Sequence, residues 1–260
     1  MLEVKFGSKP NIYTFMKNLI KIIKNFIKKR LKSFLYFIEL NFSLKNINKN
    51  PVDIFQEELS RDCYTYFKED MKSSSIFFKE NDIRNYSIST GFKNKINMDD
   101  LFLEFGVFKG DSINLFAKFL SNHSLDIHGF DSFEGLEEEW IAEDYNPVGT
   151  FSLGKNPPKV SNNVKLVNGK VQETLEIFLD NNNKKKIIFV HMDMDTYGVT
   201  KFTLSKIKPF LQKGAIILFD QFYGFPNWEK TEFKALNEIF EKNEYKYIAF
   251  CSRQVAVKIL

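Results

Sequence analysis

Leu101-Phe-Leu-Glu-Phe-Gly-Val-Phe-Lys-Gly-Asp-Ser112 is the stretch that decides the fold. Leu101–Phe105 reads as a short buried strand, and Ser112–Leu120 as the helix that follows it. Gly106 and Gly110 between them allow a tight turn and let a ligand come close to the backbone. The spacing is not Gly-x-Gly-x-x-Gly, so a pyrophosphate cradle is not indicated.

The same unit recurs downstream. Asp126–Phe130 is a second strand, followed by Asp131. Asn163–Val167 is a third, ahead of a helix over Val171–Leu179. Ile187–Met192 is a fourth and runs into a group of aspartates; a helix over Thr200–Leu211 follows. Ala215–Phe219 is a fifth, ending at Asp220, and Glu229–Asn243 reads as a helix. Tyr247–Phe250 and Val255–Ile259 close the chain with little between them. Strands alternating with helices predict an α/β fold. It is Rossmann-like and doubly wound, with a mainly parallel sheet, an antiparallel edge and added N-terminal helices.

Residues 1–50 differ from the rest. They carry a formal charge of +9, against −5 for residues 51–260. Apolar residues from Ile12 to Phe34 recur at spacings of three and four across residues 11–40. Lys17, Lys21, Lys24, Lys28 and Lys32 fall on the opposite face, and Arg30 falls within the apolar stripe. This basic amphipathic helix can contact a membrane surface, or dock on the body or on a second copy in a homo-oligomer. Asn46–Pro51 reads as a break, and 51–98 as a helical lead-in to an α/β domain over 99–260. No apolar run is long enough to span a bilayer, and no signal-peptide cleavage pattern is expected. The mildly acidic body argues against nucleic-acid partners. Two distant cysteines and three histidines point away from a disulfide framework or a zinc site and towards a reducing cytoplasm. A peripheral position at the inner membrane face stays open through the arm.

In open α/β sheets ligands bind beyond the carboxyl ends of the strands. Here those ends offer Glu104, Asp131, Asp193, Asp195 and Asp220. Five carboxylates on one edge repel one another unless they are used, and a ligand with an amino group and a ribose, or a metal ion, would use them. Asp131 can hold both ribose hydroxyls, or cap a helix. Gly149–Val160 reads as a lid or a surface loop.

Four motifs in order carry a family resemblance. They are Glu-Phe-Gly-Val-Phe-Lys-Gly from Glu104, Gly-Phe-Asp-Ser-Phe-Glu-Gly-Leu from Gly129, His-Met-Asp-Met-Asp-Thr-Tyr from His191, and Leu-Phe-Asp-Gln-Phe-Tyr-Gly-Phe from Leu218. Together they resemble the macrocin O-methyltransferase group of class I methyltransferases, from about Arg84 to Ile259. The resemblance implies transfer of a methyl group from S-adenosylmethionine to a hydroxyl of a small molecule, most naturally a sugar linked to a nucleotide or destined for a surface glycan. It implies that Glu104, Gly106 and Phe108 hold the methionine end with Ser112 on its carboxylate, that Asp131 and Ser132 hold the ribose, and that Gln172 meets the adenine. It places Asp193 beside the reacting hydroxyl and the donor. It pairs Asp193 and Asp220 as magnesium ligands, joined by Gln221 where the family usually has a second acid. Hard cations favour carboxylates, so Gln221 weakens the case for Mg²⁺. Two other readings stay open at this point. One is an NAD-dependent oxidoreductase on a related sheet, and the other a non-catalytic binding or assembly protein with a degenerate methyltransferase body.

Overall fold

The computed structural model describes residues 12–42, 49–94, 97, 99–142 and 144–260. The chain divides into two compact units between Glu57 and Glu58. The first contains α1 (Ile12–Phe42) and the start of α2 (Pro51–Lys72). Met16, Ile20, Ile23, Phe26, Ile27, Leu31 and Phe34 are exposed along α1. Residues 1–11 and 43–48 of the expected arm lie outside the described residues. Asn50 caps α2, its Oδ1 accepting the N–H groups of Val52 and Asp53 at 2.9 and 3.0 Å, with Pro51 in the first helical position. Among the described residues no helix is long and apolar enough to cross a membrane.

The second unit holds the rest of α2 and the sheet. In chain order its elements are β1 (Ser75–Ile76), α3 (Glu80–Lys93), β2 (Leu101–Phe105), α4 (Asp111–Ser121), β3 (Ile127–Asp131), β4 (Trp140–Ile141), β5 (Tyr145–Asn146), β6 (Val164–Asn168) and α5 (Val171–Asn181). Then come β7 (Ile187–Met192), α6 (Tyr197–Ile207), β8 (Leu211–Phe219), α7 (Glu232–Ile239), β9 (Tyr245–Cys251) and β10 (Gln254–Ile259). Eight strands form one sheet in the order β1-β9-β10-β8-β7-β2-β3-β6, and β4 pairs with β5 apart from it. The run from β8 to β6 is parallel, and β10 is antiparallel to both of its neighbours. The expected sheet is therefore present, with β10 inserted between β8 and β9 and the two-residue β1 at the rim. Strand order reverses at β2 and β7, which makes the crevice beyond their carboxyl ends the place for a ligand.

Both faces of the sheet are buried. Leu103, Phe105, Val190 and Met192 pack on one side; Phe102, Phe116, Ile188 and Phe189 pack on the other. Phe67 of α2 is fully buried, with its ring 5.4–6.1 Å from those of Phe222, Trp228, Tyr247 and Phe250. Phe105, Phe130, Phe219 and Phe225 belong to the same core.

The reading of 51–98 as a helical lead-in covers α3 without resolving it as a separate element. The buried positions of α3 are Ile83, Ser87, Ile88 and Gly91, two of them small. A Cβ at Gly91 would stand 3.1 Å from the Ile188 carbonyl oxygen in β7. The helix therefore lies close on the sheet backbone, and close packing of small residues leaves no apolar period to read. The expected helix over 229–243 is shorter, because Trp228–Lys230 forms a 3-10 turn before α7 begins.

Candidate active site

A cavity of about 280 Å³ opens at the carboxyl ends of the parallel strands. Gly106 and Phe108 reach it from the turn after β2, and Asp131 and Ser132 from the end of β3. Gly169 and Lys170 reach it after β6, Asp193 to Thr196 after β7, and Asp220 and Gln221 after β8. Trp140 and Phe151 close it from the segment between β3 and β6. Phe151 is the one residue of the expected 149–160 lid on the wall, its ring 5.4 Å from that of Phe108.

The turn after β2 is built around Gly106, whose φ is +87°. A Cβ there would lie 1.8 Å from the Asp193 carbonyl oxygen, so only glycine lets the turns after β2 and β7 close on each other. Asp131 fixes the same turn. Its Oδ2 accepts the N–H groups of Val107 and Phe108 at 2.9 and 2.8 Å, and its Oδ1 accepts that of Phe133 at 2.7 Å. Each carboxylate oxygen has two acceptor positions, so Oδ1 keeps one for a ligand hydroxyl.

Three sequence-predicted cofactor residues do not reach the cavity. Glu104 is fully buried and accepts the Ser112 hydroxyl at 2.9 Å. Strand alternation turns Glu104 to the α4 side, so it and Ser112 brace the turn from behind. Gln172 is exposed and donates to Glu137 at 2.9 Å, while its neighbours Lys170 and Val171 face the cavity instead.

Charged groups crowd around Asp193 and Asp220. Arg84 of α3 donates from Nη2 to Asp220 Oδ1 at 2.9 Å, both side chains being 15% exposed. Gln254 donates from Nε2 to the same oxygen. The His191 ring is fully buried, with Nδ1 3.4 Å from Glu104 Oε2 and Nε2 3.6 Å from Asp220 Oδ1. Burial opposes its charge, but the two carboxylates facing its ring nitrogens outweigh burial and push His191 up to about 10. Burial likewise opposes the Asp220 charge, yet His191 and Arg84 hold Asp220 down at about 2. Burial, then the charge of Asp220, pushes Asp193 well above the usual carboxylate range and Asp195 up to about 7. Burial, then the three neighbouring aspartates, raises Glu232 of α7 strongly as well. Its Oε2 accepts the backbone N–H of Gln221 at 3.1 Å. Gln221 Oε1 and Glu232 Oε1 are buried without a partner.

Sequence reasoning had not found Arg84 or Glu232 here, because no local motif signals either. Asp195 is legible in the sequence only as one of the strand-end acids. The left-handed backbone of Asp195, at φ +59°, accompanies a side chain that reaches the cavity.

Ligand atoms of His191, Asp193 and Asp220 lie within 4.8 Å of one another, close enough to meet at one ion. The donor set does not suit magnesium. That ion prefers several carboxylate and water oxygens in octahedral array. Here one Asp220 oxygen is held by a guanidinium, both ring nitrogens of His191 face carboxylates, and the amide Gln221 stands where a second acid would serve. The residues do suit S-adenosylmethionine: a glycine turn against a carboxylate with a free acceptor position, and an adjoining wall of acids that suits a cationic sulfonium.

Comparison with known proteins agrees with this geometry. Residues 103–222 match the family model described as a methyltransferase domain. No curated protein matches the chain. Among solved structures, the calicheamicin methyltransferase CalS11 is similar at 19% identity and TM-score 0.56, over 82% of this chain and 94% of that one. Its apo form, titled a TDP-rhamnose 3'-O-methyltransferase, gives TM-score 0.50 at 19% identity, over 82% and 96%. The O-methyltransferase NovP gives 0.53 at 19% identity, over 69% and 78%. At that identity the likeness establishes the fold. The chain carries a methyltransferase domain on the class I fold, and S-adenosylmethionine is its methyl donor.

Proposed function

Starting from a methyltransferase that uses S-adenosylmethionine, we propose that this chain methylates a hydroxyl of a small sugar, one linked to a nucleotide or serving as a glycan precursor. The observation that carries the reading is one cavity lined together by the Gly106 turn, Asp131, Asp193 and Asp195. Likeness in fold to CalS11 and NovP supports it, the former titled as acting on a nucleotide-linked rhamnose.

S-adenosylmethionine supplies an electrophilic methyl group on a sulfonium. In this reading Asp131 Oδ1 accepts a ribose hydroxyl while the Gly106 turn and Phe108 line the path of the donor. Trp140 and Phe151 exclude water from the cavity. Asp193 hydrogen-bonds the acceptor hydroxyl and fixes its oxygen in line with the methyl carbon and sulfur, about 3 Å from the carbon. Asp195 accepts the hydroxyl proton as the carbon–oxygen bond forms and the carbon–sulfur bond breaks. A group near 7 suits that task, since it is free to accept a proton at neutral pH and basic enough to hold it.

The test is incubation with methyl-labelled S-adenosylmethionine and a panel of nucleotide-linked sugars. Label on a sugar hydroxyl is the expected result. Label on a phenol, an amine or a protein, with none on any sugar, would overturn the sugar reading.

A further inference from the structure

We propose that Arg84 stands in place of a divalent cation at Asp220, so that the reaction proposed above runs without a bound metal. The guanidinium is permanently charged and sits 2.9 Å from Asp220 Oδ1, and Gln254 donates to the same oxygen. Asp220 Oδ1 is thereby committed to two side-chain donors before any ion arrives.

The approach of Arg84 is built into the fold. Ser87 and Gly91 let α3 lie on the backbone of β7, which brings the side chain one turn earlier in the helix to the end of β8. Glu80, one turn earlier again, lies 3.8 Å from the same Nη2 and steadies it from the solvent side. An ion at Asp193 and Asp220 would need the guanidinium to leave a carboxylate in a site where both are only 15% exposed. Gln221 fits the same account, since a neutral amide adds no further negative charge beside the Arg84–Asp220 pair. The orphaned Gln221 Oε1 would accept from a hydroxyl or a water as readily as it would bind an ion.

Electron paramagnetic resonance of Mn²⁺ titrated into the full chain reads occupancy directly, without reference to turnover. Wild type is expected to bind no stoichiometric Mn²⁺. Arg84→Met, which keeps bulk and removes charge, is expected to bind it at least about tenfold more tightly, and Asp220→Asn added to it to abolish the gain. Arg84→Lys, which keeps the charge, is expected to behave as wild type. One equivalent of tightly bound Mn²⁺ on wild type, displaced by Mg²⁺ and lost in Asp193→Asn, would overturn the proposal, and it does so whether or not the Arg84 variants fold. Calorimetry with S-adenosylhomocysteine in EDTA separates this proposal from the methyltransferase reading. Unchanged affinity under chelation supports Arg84 as the cation. No binding under any condition would count against the donor site instead.

Discussion

Asp131 and Asp220 stand at the ends of two strands on one edge of one sheet and are held by different means. Asp131 is held by backbone: three N–H groups, from Val107, Phe108 and Phe133, all within 24 residues of it. Asp220 is held by side chains brought from afar: Arg84, 136 residues upstream, Gln254, 34 downstream, and His191. Two histidines, one on β3 and one on β7 beside β8, follow suit. Burial pushes His128 on β3 down to about 4, whereas carboxylates push His191 on β7 up to about 10. Backbone donors give a rigid turn with a spare acceptor position, suited to binding. A balanced set of buried charges gives carboxyls with displaced acidities, suited to moving a proton.

The largest expected effect breaks the charged side. Asp220→Ala leaves Arg84 and His191 buried without their shared counter-charge, and should cost about 3–5 kcal/mol of stability in a urea melt. A loss below 1 kcal/mol would mean the cluster is not balanced as described. In wild type the Asp220 contribution should be complete above its unfolded value near 4 and lost as pH falls through its folded value of about 2.

The next effect sharpens the account of proton movement. Asp195→Asn should lower kcat about a hundredfold, the lower range for a general base. In wild type kcat should rise with pH through about 7, as Asp195 loses its proton, and stay level above. The variant should lose that limb. A pH profile unchanged by the substitution would move the proton acceptor elsewhere, with Asp193 next in line.

The same contrast explains what the sequence made legible. The five parallel strands, their order of appearance and the carboxylates at their ends follow from short apolar runs and from Gly106 and Asp131 beside them, all local signals. Asp131 was readable because the residues that hold it belong to the adjoining turns. Arg84 was not, since α3 packs through Ser87 and Gly91 and shows no apolar stripe to announce a helix. Gln172 and Ser112 sit at the positions the resemblance implied, but their side chains turn to Glu137 and Glu104. Sequence spacing specifies where a residue falls in an element, while the direction of its side chain depends on neighbours that only tertiary packing supplies. Glu232 illustrates the same limit, reaching the cluster from α7 through a single backbone contact at Gln221.

The smallest of these effects bears on the central claim, that the strand-end cavity is where S-adenosylmethionine binds. Calorimetric titration with S-adenosylhomocysteine should show one equivalent bound by wild type. Asp131→Ala should weaken it by about 2 kcal/mol, the scale of a hydrogen bond to a charged group. Circular dichroism on the same samples confirms that the variant is folded. Saturable binding to wild type that falls by this amount in the folded variant is the predicted result. Equal affinity in the two proteins, or no binding to wild type, would contradict the account.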